Sequence, residues 1–334
     1  MGLKLRLLTA YLALLSLGSC LTVNRIDIEM LEPGEVSIPA GLEELVLLNR
    51  NIYLPDSIVQ NNSEKEKLEI LNMASTEGIF SLADILNESP RFGFVDTTMI
   101  LETVHADSLH KRPPLEPGFV YHLVDSLEAD AVVSFEYFNL EDSTRTRARS
   151  GRYEVVKTLY IEALWRFYEG DGAGIINEHT FEDTLRWGSS SSNRRAAREA
   201  LPSREEAWKE AAYFSNLNYA RRIAPHWELA ERVYYSSMVS TKISEAAMHI
   251  EQHEWEKAAE LLMPLTDYWY NPVAAAAAFN MAFISEMKGN FEVGIKWLEK
   301  SMELHDRPGK EEYMELLEER KKERKKIDEQ IVHP

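Results

Sequence analysis

The chain has 334 residues, of which 45% are hydrophobic and 28% charged, with a formal net charge of −18 and a single cysteine. That acidic balance argues against nucleic acid as a partner, because its binding depends on Lys and Arg neutralising phosphates, and equally against lying flat on anionic lipid. One cysteine leaves no intrachain disulfide and no cysteine-based metal cluster.

The first nineteen residues divide into the parts of a secretory signal. Lys4 and Arg6 give a positive start, residues 7–17 an apolar stretch broken only by Thr9 and Ser16, and Gly18 and Ser19 are small. The stretch is too short to stay in a bilayer as a spanning helix, which needs about 20 apolar residues. Leu17-Gly18-Ser19-Cys20 resembles the lipobox of bacterial lipoproteins. The resemblance implies cleavage before Cys20 and a diacylglycerol on its thiol. The residues that follow, Leu21 to Arg25, lack the Asp and the acidic cluster that resemble inner-membrane retention and surface-export signals. The expectation is therefore an outer-membrane lipoprotein facing the periplasm. With 35 basic against 55 acidic residues, the mature form carries −20.

Beyond the signal the chain reads as α+β, in two parts. Residues 44–49 form a short apolar run that suits a buried strand. Two helical patterns follow; in the second, Ile79, Leu82, Ala83 and Leu86 recur at helical spacing until Pro90. A strand is expected over 91–96, a proline-bearing connection through Pro113, Pro114 and Pro117, a short helix over 118–127 and a strong strand over 131–140. Residues 153–168 and 175–187 form a hairpin around Glu169-Gly170-Asp171-Gly172. These elements make an α/β domain over 20–187 with a mixed or antiparallel sheet. The serine-rich stretch after Trp187 reads as a linker, placed at 188–202. The rest, 203–334, reads as helical: Ser203 and Glu206 form a capping box, one helix runs to Ala224, and a second is expected over 227–238.

The helical part contains a repeat. Ala246, Trp255 and Ala258 recur 36 residues later as Ala282, Phe291 and Gly294. The later copy, 278–304, resembles the tetratricopeptide repeat: Met281-Ala282, Gly289-Asn290-Phe291, Gly294-Ile295 and Ser301-Met302 stand at its signature positions. The earlier copy departs from the pattern at Glu245, His253 and Pro264. The helix pair over 203–240 would supply a third unit, and a charged helix over 311–330 would cap the array. The resemblance implies a concave partner-binding face at Ile243, Ala247, Ile250, Glu251, Phe279, Phe283 and Met287.

No motif for catalysis stands out. His249 and His253 have metal-ligand spacing, but Ile250 occupies the place of the zinc-protease glutamate. Residues 171–182 have the length of a calcium loop, yet Ala173 and Ile175 cannot ligate. Nucleophile elbows and phosphate or dinucleotide loops are absent from the sequence. Pro225-His226-Trp227 with Arg232, Tyr234 and Tyr235 reads as core at the domain junction, or else as a stacking platform. Together with Ser37 to Leu42, Leu48 to Arg50, Ala129 to Ser134 and the final repeat, that cluster resembles a family of uncharacterised, tetratricopeptide-bearing envelope lipoproteins. The resemblance carries no activity. The expected function is a non-enzymatic, membrane-tethered scaffold or adaptor that binds another envelope protein through its helical repeats and uses no cofactor or metal. The alternative is a glycan- or nutrient-binding lipoprotein serving an outer-membrane transporter.

Overall fold

The computed structural model of the protein describes residues 21–54, 62–100, 104–105, 111–172 and 174–331. Cys20, the expected lipidation site, lies outside them. Two compact units share the chain: residues 33–226 with those from 327 onward, and residues up to 32 with 227–326. The architecture is mixed α and β, as the α+β class requires, with a sheet-rich N-terminal region and a helical C-terminal region.

After a first strand, β1 (Leu21–Glu32), the sheet unit is built from β2 (Glu44–Asn49), the two-residue β3 (Tyr53–Leu54), α1 (Asn62–Glu88), β4 (Phe94–Ile100), the two-residue β5 (Val104–His105), α2 (Pro117–Leu127), β6 (Ala131–Arg149), β7 (Arg152–Glu169), β8 (Ile175–Ser191), α3 (Arg194–Glu199) and α4 (Arg204–Ile223). The five-stranded sheet has the order β4-β2-β6-β7-β8; β2 pairs in parallel with β4 and β6, and β6, β7 and β8 form an antiparallel meander. Both faces of β2 are covered, which explains its unbroken apolar run. Leu45 and Leu47 join the core that includes Leu82 and Leu86 of α1, whereas Val46 and Leu48 join a smaller one with Val120 and Val124 of α2. Ser150 and Gly151, at φ 51° and 75°, make the two-residue loop between β6 and β7, and positive φ at both positions matches the right-handed twist of the flanking strands.

The expected linker is a correction. Gly188 to Ser191 continue β8, with Ser189 opposite Val155 and Ser190 opposite Glu154. Asn193 then caps α3, accepting from the backbone N–H of Arg195 at 2.8 Å. Its polarity is that of a strand with one strand neighbour, whose backbone the ladder satisfies. The helix after it, α4, belongs to the sheet unit: Ala207, Ala211, Tyr219 and Ile223 are buried in the same core as Trp165 and Phe167. The boundary between the units therefore falls after His226.

The helical unit contains β1, β9 (His226–Ser237), α5 (Thr241–Glu251), α6 (Trp255–Leu262), a 3₁₀ turn Met263–Leu265, α7 (Asn271–Met287), α8 (Phe291–Leu304) and most of α9 (Lys310–Gln330). Residues 226–237, expected largely as a helix and as half of a third repeat, form a strand paired with β1. Its tyrosines, Tyr234 and Tyr235, are buried in the core of this unit with Ile28 and Met30 of β1. Helices α5 and α6, and then α7 and α8, form consecutive pairs with tight turns. The left-handed residue is His253 (φ 57°) in the first turn and Gly289 (φ 70°) in the second. A Cβ on Gly294 would lie 3.2 Å from the Ala282 carbonyl oxygen, so α8 approaches α7 closely at this glycine.

Candidate interaction surfaces

Five of the seven residues of the face expected to bind a partner lie in the core of the helical unit; Glu251 is exposed. Ile243, Ala247, Ile250, Phe279 and Phe283 are at most 4% exposed. Tyr235 meets Phe279 edge-on at 4.9 Å, Tyr313 of α9 lies 5.2 Å from the same ring, and Trp255 meets Phe283 at 5.7 Å. Met287 is half-buried, and Glu251 accepts a hydrogen bond from the Tyr234 hydroxyl at 2.5 Å. Strand β9 and helix α9 thus occupy the space a concave groove would have left open. The sequence signal for this was the β-branched and aromatic run Arg232-Val-Tyr-Tyr235, which suits a strand better than a helix. The histidine pair has a structural role as well: His249 Nδ1 lies 2.6 Å from Glu254 Oε2, and the His253 ring stacks on Trp255 at 5.1 Å.

Two clusters of buried charge are paired. In the helical unit Arg232 donates from Nε and Nη2 to Glu286 at 2.9–3.2 Å, and the Tyr313 hydroxyl donates to the same carboxylate at 2.7 Å. Burial, reinforced by the Glu286 charge, holds the Tyr313 phenol well above its ordinary pKa. In the sheet unit a register shift between Phe135 and Tyr137 marks Glu136 as the extra residue of a bulge. Its carboxylate is fully buried, accepts from Tyr168 at 2.7 Å and pairs with Arg50 and Arg166. Both clusters satisfy themselves and present no activated nucleophile to solvent.

Two surfaces are different in kind. The first is the outer half of the meander. Ser143, Arg145, Arg147 and Arg149 alternate along one face of β6, opposite Thr158, Val156, Glu154 and Arg152 of β7, and Arg186 of β8 lies opposite Thr158. The five arginines are exposed, and Glu154 is the acidic residue within this register. A shallow cleft of about 430 Å³ lies among Arg145, Arg147, Val156, Thr158 and Arg186. Among the described residues Arg145, Arg147, Arg149 and Arg186 have no ion-pair partner. Arg149 and Arg152 are a directly opposed like-charge pair, which works against the sheet, whereas Arg147 faces Glu154. Chemically it offers planar, multi-donor guanidiniums to carboxylates or phosphates. The sequence held this signal in the alternation Arg145-Thr-Arg147-Ala-Arg149, obscured by the expectation that the strand ended at residue 140.

The second surface is in the helical unit, where the start of α5 meets the turn before α7. Here a cleft of about 610 Å³ is lined by Leu21, Val239, Lys242, Tyr268, Trp269, Tyr270 and Arg307, among others. Trp269 is 80% exposed, and its ring lies 5.7 Å from Tyr268 and 5.8 Å from Tyr270. Among the described residues no group of three His, Cys, Asp or Glu side chains could hold a metal ion, and no helix is long and apolar enough to cross a membrane.

Residues 42–235 match the model of a family described as a domain of unknown function (DUF8603), and residues 244–326 match a second domain of unknown function (DUF6340). The two matches divide the chain between 235 and 244, well beyond the serine-rich stretch. No curated protein matches. Among solved structures, the chain is similar to a Helicobacter pylori protein described as a neuraminyllactose-binding hemagglutinin homologue. The identity is 12%, over 66% of this chain and 94% of that one, at a TM-score of 0.30. A hypothetical protein of Chlamydia trachomatis shares 10% identity over 54% of this chain and 96% of that one, at a TM-score of 0.21. Superpositions this loose carry no argument about function.

Proposed function

The chain belongs to the family of the domain of unknown function DUF8603, which brings no activity with it, and from its own surfaces we propose a lipid-tethered adaptor of the bacterial envelope. In this reading Cys20 is acylated at the outer membrane, the folded chain faces the periplasm, and it holds another envelope protein without doing chemistry on it. The single observation that carries the reading is the arginine face of the meander. It is exposed, sets Arg149 directly against Arg152, and concentrates positive charge on an otherwise acidic chain. Its partner is an acidic protein surface, because three guanidiniums on a two-residue repeat, Arg145, Arg147 and Arg149, flanked by Arg152 and Arg186, recognise spaced carboxylates. The helix pairs α5–α6 and α7–α8, with left-handed turns and the close approach at Gly294, support reading this part as tetratricopeptide-like. They form a packed support rather than the binding groove.

The test is a photoreactive residue in place of Val156, which is 42% exposed in the middle of the arginines, incorporated in cells and irradiated in intact envelopes. One discrete protein adduct is expected. It should be lost in an Arg145→Glu/Arg147→Glu/Arg186→Glu variant and weaken as ionic strength rises. A diffuse adduct pattern that the triple variant does not change would sink the adaptor reading.

A further inference from the structure

We infer that the aromatic cleft around Leu21 is the face this protein lays against the headgroup layer of the membrane that holds its lipid. The inference rests on the Cys20 tether proposed above and adds what that tether does to the fold. Leu21 is the first residue of β1, and this strand is part of the packed body: it pairs with β9, and Asn24 Nδ2 donates to Ser236 Oγ at 2.9 Å. One peptide unit, about 3.8 Å between Cα atoms, separates Leu21 from the lipidated cysteine. A chain tethered there has no spacer. The headgroup layer is roughly 5–7 Å deep on each side of the hydrocarbon core, so side chains beside Leu21 must lie in it or against it.

The side chains found there suit that position. Trp269 is 80% exposed, Val239 58% and Tyr268 43%, and neighbouring Met238 is 89% exposed. Left in water, such a patch is unfavourable. Tryptophan and tyrosine, with an apolar body and a polar tip, prefer the membrane–water interface. Lys242 and Arg307 line the same cleft and bring cations to the level of the lipid phosphates. The acidic charge of the whole chain argues against lying flat on lipid, and this local patch needs only its own face to do so.

The lipidated full-length protein should be reconstituted into phosphatidylcholine–phosphatidylglycerol vesicles whose acyl chains carry bromine near the headgroup. Quenching should remove about one tryptophan's share of the emission from seven, and Trp269→Phe should abolish that loss. Trp227→Phe, which alters a tryptophan 54% exposed on β9, should leave it intact. Equal quenching of wild type and Trp269→Phe would overturn the inference while leaving the tether in place. Mass spectrometry of the N-terminal peptide separates the two: a Cys20 without diacylglycerol overturns the tether itself and this inference with it. A saturable emission change with maltoheptaose in vesicle-free detergent, lost in Trp269→Phe, would instead make the cleft a glycan site and overturn membrane docking.

Discussion

Lys310 places an ammonium where little water reaches it. The side chain is 2% exposed, and its Nζ donates to the Ser301 carbonyl at 2.8 Å, the Ser301 hydroxyl at 2.7 Å and the His305 carbonyl at 2.6 Å. Burial pulls its pKa down to about 8 from 10.5. From about pH 8 up to 10.5 the unfolded chain therefore binds more protons than the native one, and stability from this group rises with pH. Buried phenols act in the opposite direction above pH 10, because burial first of all raises Tyr219 and Tyr313 in the native state. The useful quantity is then the difference between wild type and Lys310→Met in urea melts at pH 7.5 and 9.5. At neutral pH the variant should lose about 1–3 kcal/mol, the cost of stranding buried acceptors. The wild type, but not the variant, should gain stability from Lys310 deprotonation between the two pH values; parallel pH profiles would count against it. The Arg232–Glu286 pair gives a second case at this scale. Glu286→Leu leaves a buried guanidinium without its carboxylate and should cost about 3–5 kcal/mol, whereas the Arg232→Leu/Glu286→Leu double variant should recover only part of that, because the Tyr313 hydroxyl loses its acceptor in both. Additive losses in a double-mutant cycle would show that the pair is not coupled.

At the scale of elements, Gly78 is informative because helix propensity and packing predict opposite signs. It lies inside α1, where Ala in place of Gly ordinarily stabilises by about 1 kcal/mol. A Cβ there would come within 2.6 Å of Asn216 Nδ2 and 3.2 Å of the Ala212 Cβ on α4. Asn216 cannot simply swing away: it is fully buried, donates to the Ala212 carbonyl at 2.8 Å and accepts from Trp165 Nε1 at 3.3 Å. Gly78→Ala should therefore destabilise by about 1–3 kcal/mol, the range for overpacking a tight contact. A variant more stable than wild type in chemical denaturation would mean that α1 and α4 are not in this contact. The same helices show what the sequence made legible. The apolar run of β2, the period of Ile79, Leu82, Ala83 and Leu86, the hairpin of β7 and β8 and the cap at Ser203 were all local signals, and each stands in the structure. The errors came where a partner distant in the chain decides the outcome. Whether 226–237 is helix or strand depends on β1, two hundred residues earlier, and the polarity of Gly188 to Ser191 reflects one exposed face rather than a linker. The expected binding face failed for the same reason, since helical spacing alone could not show that Tyr235 and Tyr313 fill it.

The whole molecule is two units that exchange chain ends, so neither is a contiguous stretch of sequence. Gln330 shows this in the sheet unit: its side chain accepts from the Gly34 N–H at 3.0 Å and donates to the Gly34 carbonyl at 2.8 Å, across most of the chain's length. In the helical unit β1 buries Ile28 (3% exposed) and Met30 (7%) in the core and pairs Arg25 with Glu231 of β9. Full burial of such side chains stabilises by about 1.5–3 kcal/mol each, and β9 without β1 is left without its strand partner. A fragment of residues 227–326 should accordingly be helical but loosely packed, with a broad thermal transition and dye binding to exposed apolar surface. Adding a synthetic peptide of residues 21–32 should sharpen the transition and raise its midpoint in a concentration-dependent way. The same peptide with Ile28 and Met30 replaced by serine should not. A fragment that melts cooperatively at one temperature with or without the peptide would show that β1 is dispensable to the fold. Completion by the peptide would mean that β1 is a structural strand of the helical unit, and a lipid placed on the residue before it, as proposed above, would be held against that unit rather than on a flexible leash.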